Sequence, residues 1–313
     1  MQRFANSRFA ALAVLALLTV LWGYNWVVVK IALEYAGPFQ FLAWRMGLAS
    51  LVLFGMARLL GLPLAMPHPK KTLLLGLVQT TLYGSLMTWA LVRGGAGKVA
   101  ILTFTMPFWM IILAWLFLGE KVRGRQWPIV FLALAGMTLI LEPWQLKSDL
   151  FSNLLAVGGG LCWAISVLQI KKIHLHSQRQ LFALTAWQMA IGSIGLIALA
   201  FLFPSHPTQW QPVFILTLMY SVVIAAALGW IMWFFILQRL PANISSLGTL
   251  AIPVVAAFSA WLQLHEVPTH VELAGIFLVC VALAGLAVTT ETSREKKIRY
   301  RQFNIDEQDV NSR

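Results

Sequence analysis

Apolar residues fill blocks of about twenty along almost the whole chain, each closed by a short polar or Gly/Pro-containing connection. Twenty helical residues at about 1.5 Å each span roughly 30 Å, the thickness of a bilayer's hydrocarbon core. Ten blocks can be drawn: 9–30, 39–60, 72–92, 98–118, 125–142, 152–172, 181–203, 212–237, 243–264 and 271–290. Gly37-Pro38, Pro63 to Pro69, Pro204 to Pro207 and Pro241 punctuate them. The pattern predicts an all-α membrane protein with ten transmembrane helices. A signal segment ahead of a soluble domain is excluded, because the blocks recur from residue 9 to residue 290.

Composition agrees. Charged residues make up 11% of the 313, hydrophobic ones 59%, and mean hydropathy is +0.78. A soluble surface needs roughly 25% charge. The net charge of +12 changes the picture only through its placement. The basic residues cluster between apolar blocks, which encodes membrane topology and makes nucleic acid a poor partner. With the N-terminus inside, the inner connections and termini hold clusters such as Lys121, Arg123 and Arg125, or Lys171, Lys172 and Arg179; the outer ones hold only Arg93, Lys98 and Lys147. That asymmetry predicts a multi-pass protein with both termini cytoplasmic. Cys162 and Cys280 lie inside apolar blocks, and no Cys/His spacing suggests a metal or other cofactor.

The chain also repeats itself. Pro107, Trp115 and Glu120 recur as Pro253, Trp261 and Glu266; Gly84 and Met87 recur as Gly229 and Met232; Trp22 recurs as Trp163, and Ala43-Trp44 as Ala186-Trp187. The slowly drifting offset marks two copies of one unit with small loop insertions. An odd number of helices per unit, five, turns the second copy upside down in the bilayer. Inverted repeats characterise transporters that rock about a site near the midplane.

Leu21-Trp22-Gly23-Tyr24-Asn25-Trp26, Pro107 through Leu118-Gly119-Glu120-Lys121, and Pro253 through Glu266 resemble the EamA family of the drug/metabolite transporter superfamily. The resemblance covers about residues 9–290, with His265 replacing the pattern's glycine in the second half. A closer likeness, through Trp89–Leu102, Thr105–Trp109 and Pro143–Leu146, is to the family's cystine exporters of the bacterial inner membrane. It implies two inverted five-helix repeats, 1–146 and 147–290, a cytoplasmic tail 291–313, and export of cystine, cysteine or a related amino acid. A monomer suffices on that reading, because one chain supplies both halves of the site.

Polar and aromatic groups inside the blocks are the candidates for lining a substrate cavity. Trp22, Asn25, Trp26 and Val29 share one face of the first helix, and Trp163 and Ser166 hold the corresponding places in the sixth. The competing reading is packing. Arg45 lies about six residues inside the second block, where it either holds a substrate carboxylate or snorkels to the outer headgroups. Gln79 and Tyr83 in the third block and Trp230 in the eighth complete the set. Glu120 and Glu266 sit at helix ends, where an interfacial structural role is expected. No paired carboxylates, His-rich motif or Ser/His/Asp set occurs in the blocks, which argues against a membrane enzyme. No repeated filter motif supports a channel.

Overall fold

Pro and Gly set the helix boundaries. In the computed structural model, α2 (Pro38–Leu59) begins with proline, which lacks an N–H that the first helical turn could not have used. It ends in a Schellman turn: Gly61 takes φ +62, Leu62 N donates to Ala57 O at 2.8 Å, and Gly61 N donates to Arg58 O. Prolines also open α3 (Pro69–Arg93) and α9 (Pro212–Leu228). The structure describes residues 8–118, 124, 126–141, 150–173, 178–229, 232, 233, 236, 251–282, 284 and 285. Trp230, Gly119-Glu120, residues 243–250 and the tail from 291 lie outside them.

The remaining described helices are α1 (Arg8–Ala32), α4 (Ala96–Thr103), α5 (Met106–Leu118), α6 (Gln126–Leu141), α7 (Leu150–Lys171), α8 (Gln178–Leu202), α10 (Ile252–Leu264) and α11 (His270–Ala282). No strand occurs among the described residues. Six helical stretches are long and apolar enough to cross a membrane: Ala10–Ala32, Pro38–Leu59, Pro69–Arg93, Ala96–Phe117, Leu150–Ile170 and Arg179–Leu202. Four shorter apolar helices accompany them, at Trp127–Ile140, Pro212–Leu228, Ile252–Leu264 and His270–Ala282.

The distribution of residues is that of a membrane protein. Leu59, Phe117, Phe131, Ile194, Phe201, Leu216 and Phe277 are exposed, whereas Ala, Gly, Ser and Thr fill many interior positions. Lipid solvates large apolar side chains as well as the interior does, so small residues settle the helix–helix seams. A Cβ on Gly97 would come within 2.7 Å of Ala257 Cα where α4 crosses α10. Gly136 and Gly275 meet reciprocally, each near the other's carbonyl, where α6 crosses α11.

The longest seam joins α2 to α8. Ser205 donates to Gln40, Gly47 faces Ser193, Phe54 packs on Trp187, and Trp187 Nε1 donates to Leu64 O at 2.8 Å. Residue number rises on one helix as it falls on the other, so the two run antiparallel. α1 packs on α9 and α10, while α7 packs on α3, α4 and α5.

Two departures from regular α-helix matter for the site. The fourth predicted block is not continuous: Phe104-Thr105 interrupts it between α4 and α5. Pro107 has no N–H to donate to Thr103 four residues back, and on either side of it the bonds run three residues back, from Thr105 N to Leu102 O at 3.3 Å and from Phe108 N to Thr105 O at 2.9 Å. In addition, Gly76–Leu82 of α3 and Tyr220–Leu228 of α9 are π-helical. They occupy corresponding places in the two halves of the sequence. Such wide turns are rare and concentrate at functional positions.

Candidate functional site

The two faces singled out in the sequence have different surroundings. α1 turns Trp22 and Asn25 toward the π-helical part of α9. Trp22 Nε1 donates to Ala225 O at 2.8 Å, and its ring centroid lies 6.1 Å from that of Trp233. Ser221 Oγ donates to Asn25 Oδ1 at 3.1 Å, and Tyr220 OH donates to Leu21 O at 2.9 Å. Gly229 leaves the room that the Trp22 indole fills. These bonds tie α1 to α9.

Trp26, one turn further on, faces a different group. It is buried, and its ring lies 6.5 Å from Phe104 in the α4–α5 break. Phe104 meets Trp163 of α7 edge-on at 5.3 Å, and Trp163 lies 5.8 Å from Tyr83 of α3. Centroid separations of 4.5–7 Å are the range in which aromatic rings attract. The four rings form one connected run drawn from α1, the break, α7 and α3. Gly160 lets α7 approach the break: a Cβ there would come within 2.9 Å of Thr103 O.

Arg45 lies on α2, which packs on α3 beside Tyr83: a Cβ on Gly84 would lie 3.5 Å from Leu42 Cδ1, one turn before Arg45. Gln79, half-buried, lies in the π-helical stretch just before Tyr83. Ser166 is fully buried, and its hydroxyl donates to Cys162 O of its own helix at 2.9 Å. Trp230 lies outside the described residues. The structure therefore links Trp26, Tyr83 and Trp163 through Phe104, with Arg45 on the adjoining α2, and places Trp22 and Asn25 at the α1–α9 seam.

Sequence reading did not single out Phe104. The only signal for it was a position three residues ahead of Pro107, between two threonines. It also passed over the buried side-chain atoms without hydrogen-bond partners at Ser85, Thr88, Trp109 and Asn153. Ser85 and Thr88 follow Tyr83 on α3.

One end of the bundle is clamped by charge. Lys30 Nζ at the end of α1 lies 3.0 Å from Glu266 Oε1 and donates to Gly94 O. The contact with Glu266 is an ion pair off the hydrogen-bonding direction, since Oε1 has no aligned donor. Gly97 N at the start of α4 approaches Glu266 Oε2 at 3.4 Å, and Lys98 pairs with Glu272 of α11. Lys30 of α1 and Gly97 of α4 thus meet the loop after α10 at Glu266, Lys30 also reaches the α3–α4 connection, and α4 is tied to α11. His265, just before Glu266, takes φ +54, a left-handed conformation that glycine adopts without steric cost. The Lys30 and Glu266 side chains remain 24% and 23% exposed, so screening limits their worth to about 1 kcal/mol. Lys30→Met and Glu266→Gln should each lower the thermal midpoint in detergent by a few degrees. The double variant should fall no further than the worse single, because both remove one shared interaction; fully additive losses would separate the two residues.

The geometry can be set beside known proteins. The EamA-like transporter family profile matches residues 9–142 and again 150–288. YvbV of Bacillus subtilis (strain 168), an uncharacterized transporter, is 30% identical over 300 residues, covering 95% of this chain and 96% of that protein. A probable amino-acid metabolite efflux pump of Escherichia coli (strain K12) is 27% identical over 285 residues, covering 86% of this chain and 92% of that one. A crystal structure sharing 15% identity superposes with a TM-score of 0.62 over 91% of this chain and 99% of its own, which supports the fold. With the profile matched over most of its length, the chain belongs to the EamA-like transporter family and is a multi-pass membrane transporter.

Proposed function

We propose that this transporter exports amino-acid metabolites, cystine and cysteine among them, across a bacterial inner membrane by alternating access. The single observation that carries the reading is the four-ring run Trp26–Phe104–Trp163–Tyr83, drawn from both halves of the chain, with Arg45 on the adjoining α2. It offers an aromatic wall near a cation, in a bundle whose end at Lys30, Glu266 and Lys98 is clamped. Relatives named as probable amino-acid metabolite efflux pumps in Escherichia coli and Salmonella typhimurium favour that solute class.

On this reading ten spans form two inverted five-helix repeats, 1–146 and 147–290, with both termini and the tail cytoplasmic. Support comes from the two stretches that match the family profile, the antiparallel α2–α8 seam between corresponding segments, and the paired π-helical stretches. The six long and four shorter apolar helices are consistent with ten crossings. The clamped end then faces the periplasm. Trp26, Arg45, Gln79, Tyr83 and Trp163 line the path, with Trp230 assigned to it from sequence. Trp22, Asn25 and Ser166 position the helices that carry them. One copy of the chain is sufficient.

Overexpression should raise tolerance to cystine and increase cystine and cysteine in the medium. Inside-out vesicles should accumulate radiolabelled cystine. Unchanged export of both, with clear export of another metabolite, removes cystine from the reading. Accumulation of no solute at all removes export.

A further inference from the structure

Arg45 combines features that a structural arginine does not. Its Nε and Nη1 atoms are buried without hydrogen-bond partners. The ion pairs formed among the described residues, Lys30–Glu266 and Lys98–Glu272, both lie at the clamped end. The described carboxylates are Glu34, Glu266 and Glu272, which sit in connections or in the first turn of α11. No acid within a described helix body therefore neutralises the guanidinium. A snorkelling side chain would carry its nitrogens out to the headgroups; here two of the three are enclosed by protein. An unpaired cation in a low-dielectric interior is strongly disfavoured unless an anion joins it.

The neighbourhood fits such an anion attached to a larger body. On the adjoining α3, Tyr83 stands next to Gly84, which Leu42 contacts one turn before Arg45, and the Tyr83 ring leads to Trp163 and Phe104. Ser85 Oγ and Thr88 Oγ1, further along α3, are buried and unpartnered, as is Gln188 Oε1 on α8. Gln188 is also the residue that corresponds to Arg45 in the second half. The cation is thus present in one half of the chain only, and it gives the site a direction: acid toward Arg45, side chain along the rings.

The geometry points to Arg45 as the carboxylate-recognition residue of the transport site, so that the solute carried must bear a carboxylate. A carboxylate meets two adjacent N–H groups of the planar guanidinium fork, and the rest of the solute packs on the Tyr83–Trp163–Phe104 wall. The inference deepens the proposed export reading and rests on it. It adds a selectivity: amino acids are accepted, while their amides and decarboxylated amines are rejected.

The test uses purified full-length protein, wild type and the variants Arg45→Lys and Arg45→Met, with L-cystine, L-phenylalanine, their carboxamides and phenethylamine as probes. Thermal unfolding in detergent is followed without ligand and with each probe, and uptake of radiolabelled L-phenylalanine and phenylalaninamide is followed in proteoliposomes. The acids should raise the wild-type midpoint at concentrations at least ten-fold lower than their amides or phenethylamine. Arg45→Met should lose the response to acids while its ligand-free midpoint stays at or above wild type, because an unpaired buried charge has been removed. Arg45→Lys should need at least ten-fold more acid, since an ammonium lacks the fork. A ligand-free Arg45→Met that unfolds well below wild type marks Arg45 as structural and overturns the assignment. An acid response that survives in Arg45→Met, or no acid response in wild type, overturns it as well. Uptake of amide as fast as acid keeps the transporter and removes the carboxylate requirement, whereas uptake of neither in any preparation counts against export itself.

Discussion

Trp163→Ala should reduce transport ten-fold or more while the protein still inserts and elutes as a single species. The indole is the middle link of the aromatic run, 5.3 Å from Phe104 and 5.8 Å from Tyr83. Each such contact contributes about 0.5–1.5 kcal/mol beyond its buried area. A solute seated on the indole loses contacts of this size together with the area the ring covers, roughly one to two decades in a binding constant. The residue is only partly buried, so the cost to folding should stay below the roughly 3–5 kcal/mol of a fully enclosed Trp→Ala change. Trp163→Phe, which keeps a ring facing Phe104, should recover most of the activity. Uptake of radiolabelled cystine into inside-out vesicles, matched for protein amount, gives the comparison. Wild-type rates in Trp163→Ala would place the transport path elsewhere in the bundle.

Trp163 also shows what a repeat reveals and what it hides. Trp22 and Trp163 are counterparts in the sequence, and pattern alone gives them the same role. In the structure, the Trp22 indole is tied to a backbone carbonyl of the π-helical stretch in α9, while Trp163 stands between two rings. A duplicated position keeps its place in the fold, yet its neighbours come from sequence that has since diverged. Asn25 and Ser166 differ in the same way: one accepts from Ser221 on another helix, the other donates within its own.

Helix boundaries were easier to read. The drawn ends of the second, sixth and seventh blocks fall within three residues of Pro38–Leu59, Leu150–Lys171 and Gln178–Leu202, because Pro, Gly and charge mark where a chain can leave the bilayer. The π-helical stretches were not legible. Gly76–Leu82 and Tyr220–Leu228 have the composition of any apolar helix, and only their backbone hydrogen-bond pattern sets them apart. The charge clamp was half legible. Glu266 was expected to be interfacial and structural, but its partner Lys30 lies 236 positions away in sequence, a separation that local pattern cannot bridge. Two fates for Arg45 were open in sequence, because residue type and depth do not say which way a side chain points.

The crossing of α8 over the π-helical part of α3 is where a single added side chain should do most harm to folding. A Cβ on Gly192 would lie 2.2 Å from Thr80 Cβ, 2.5 Å from Thr80 Cγ2 and 2.8 Å from Gly76 O. The first two atoms belong to a buried β-branched side chain with little rotamer freedom, and the third is backbone. Thr81 Oγ1 donates to Gly192 O at 2.9 Å, so separating the helices also breaks this bond. Gly195, one turn on, would meet Thr81 Oγ1 at 2.6 Å, which leaves no room to slide along the seam. On its other side α8 is held by α2 through Phe54–Trp187 and the close approach of Gly47 to Ser193. Overpacking a rigid contact costs about 1–3 kcal/mol and more when backbone must move, against a net stability of about 5–15 kcal/mol. Gly192→Val should therefore lower the thermal midpoint by ten degrees or more, or leave no monodisperse protein after extraction. Gly55→Ala in α2, where nothing lies within 4 Å of the added Cβ, should match or exceed wild type, since alanine favours a helix over glycine by about 1 kcal/mol. Equal midpoints for Gly192→Val and wild type would mean that α3 and α8 do not cross in contact at this glycine.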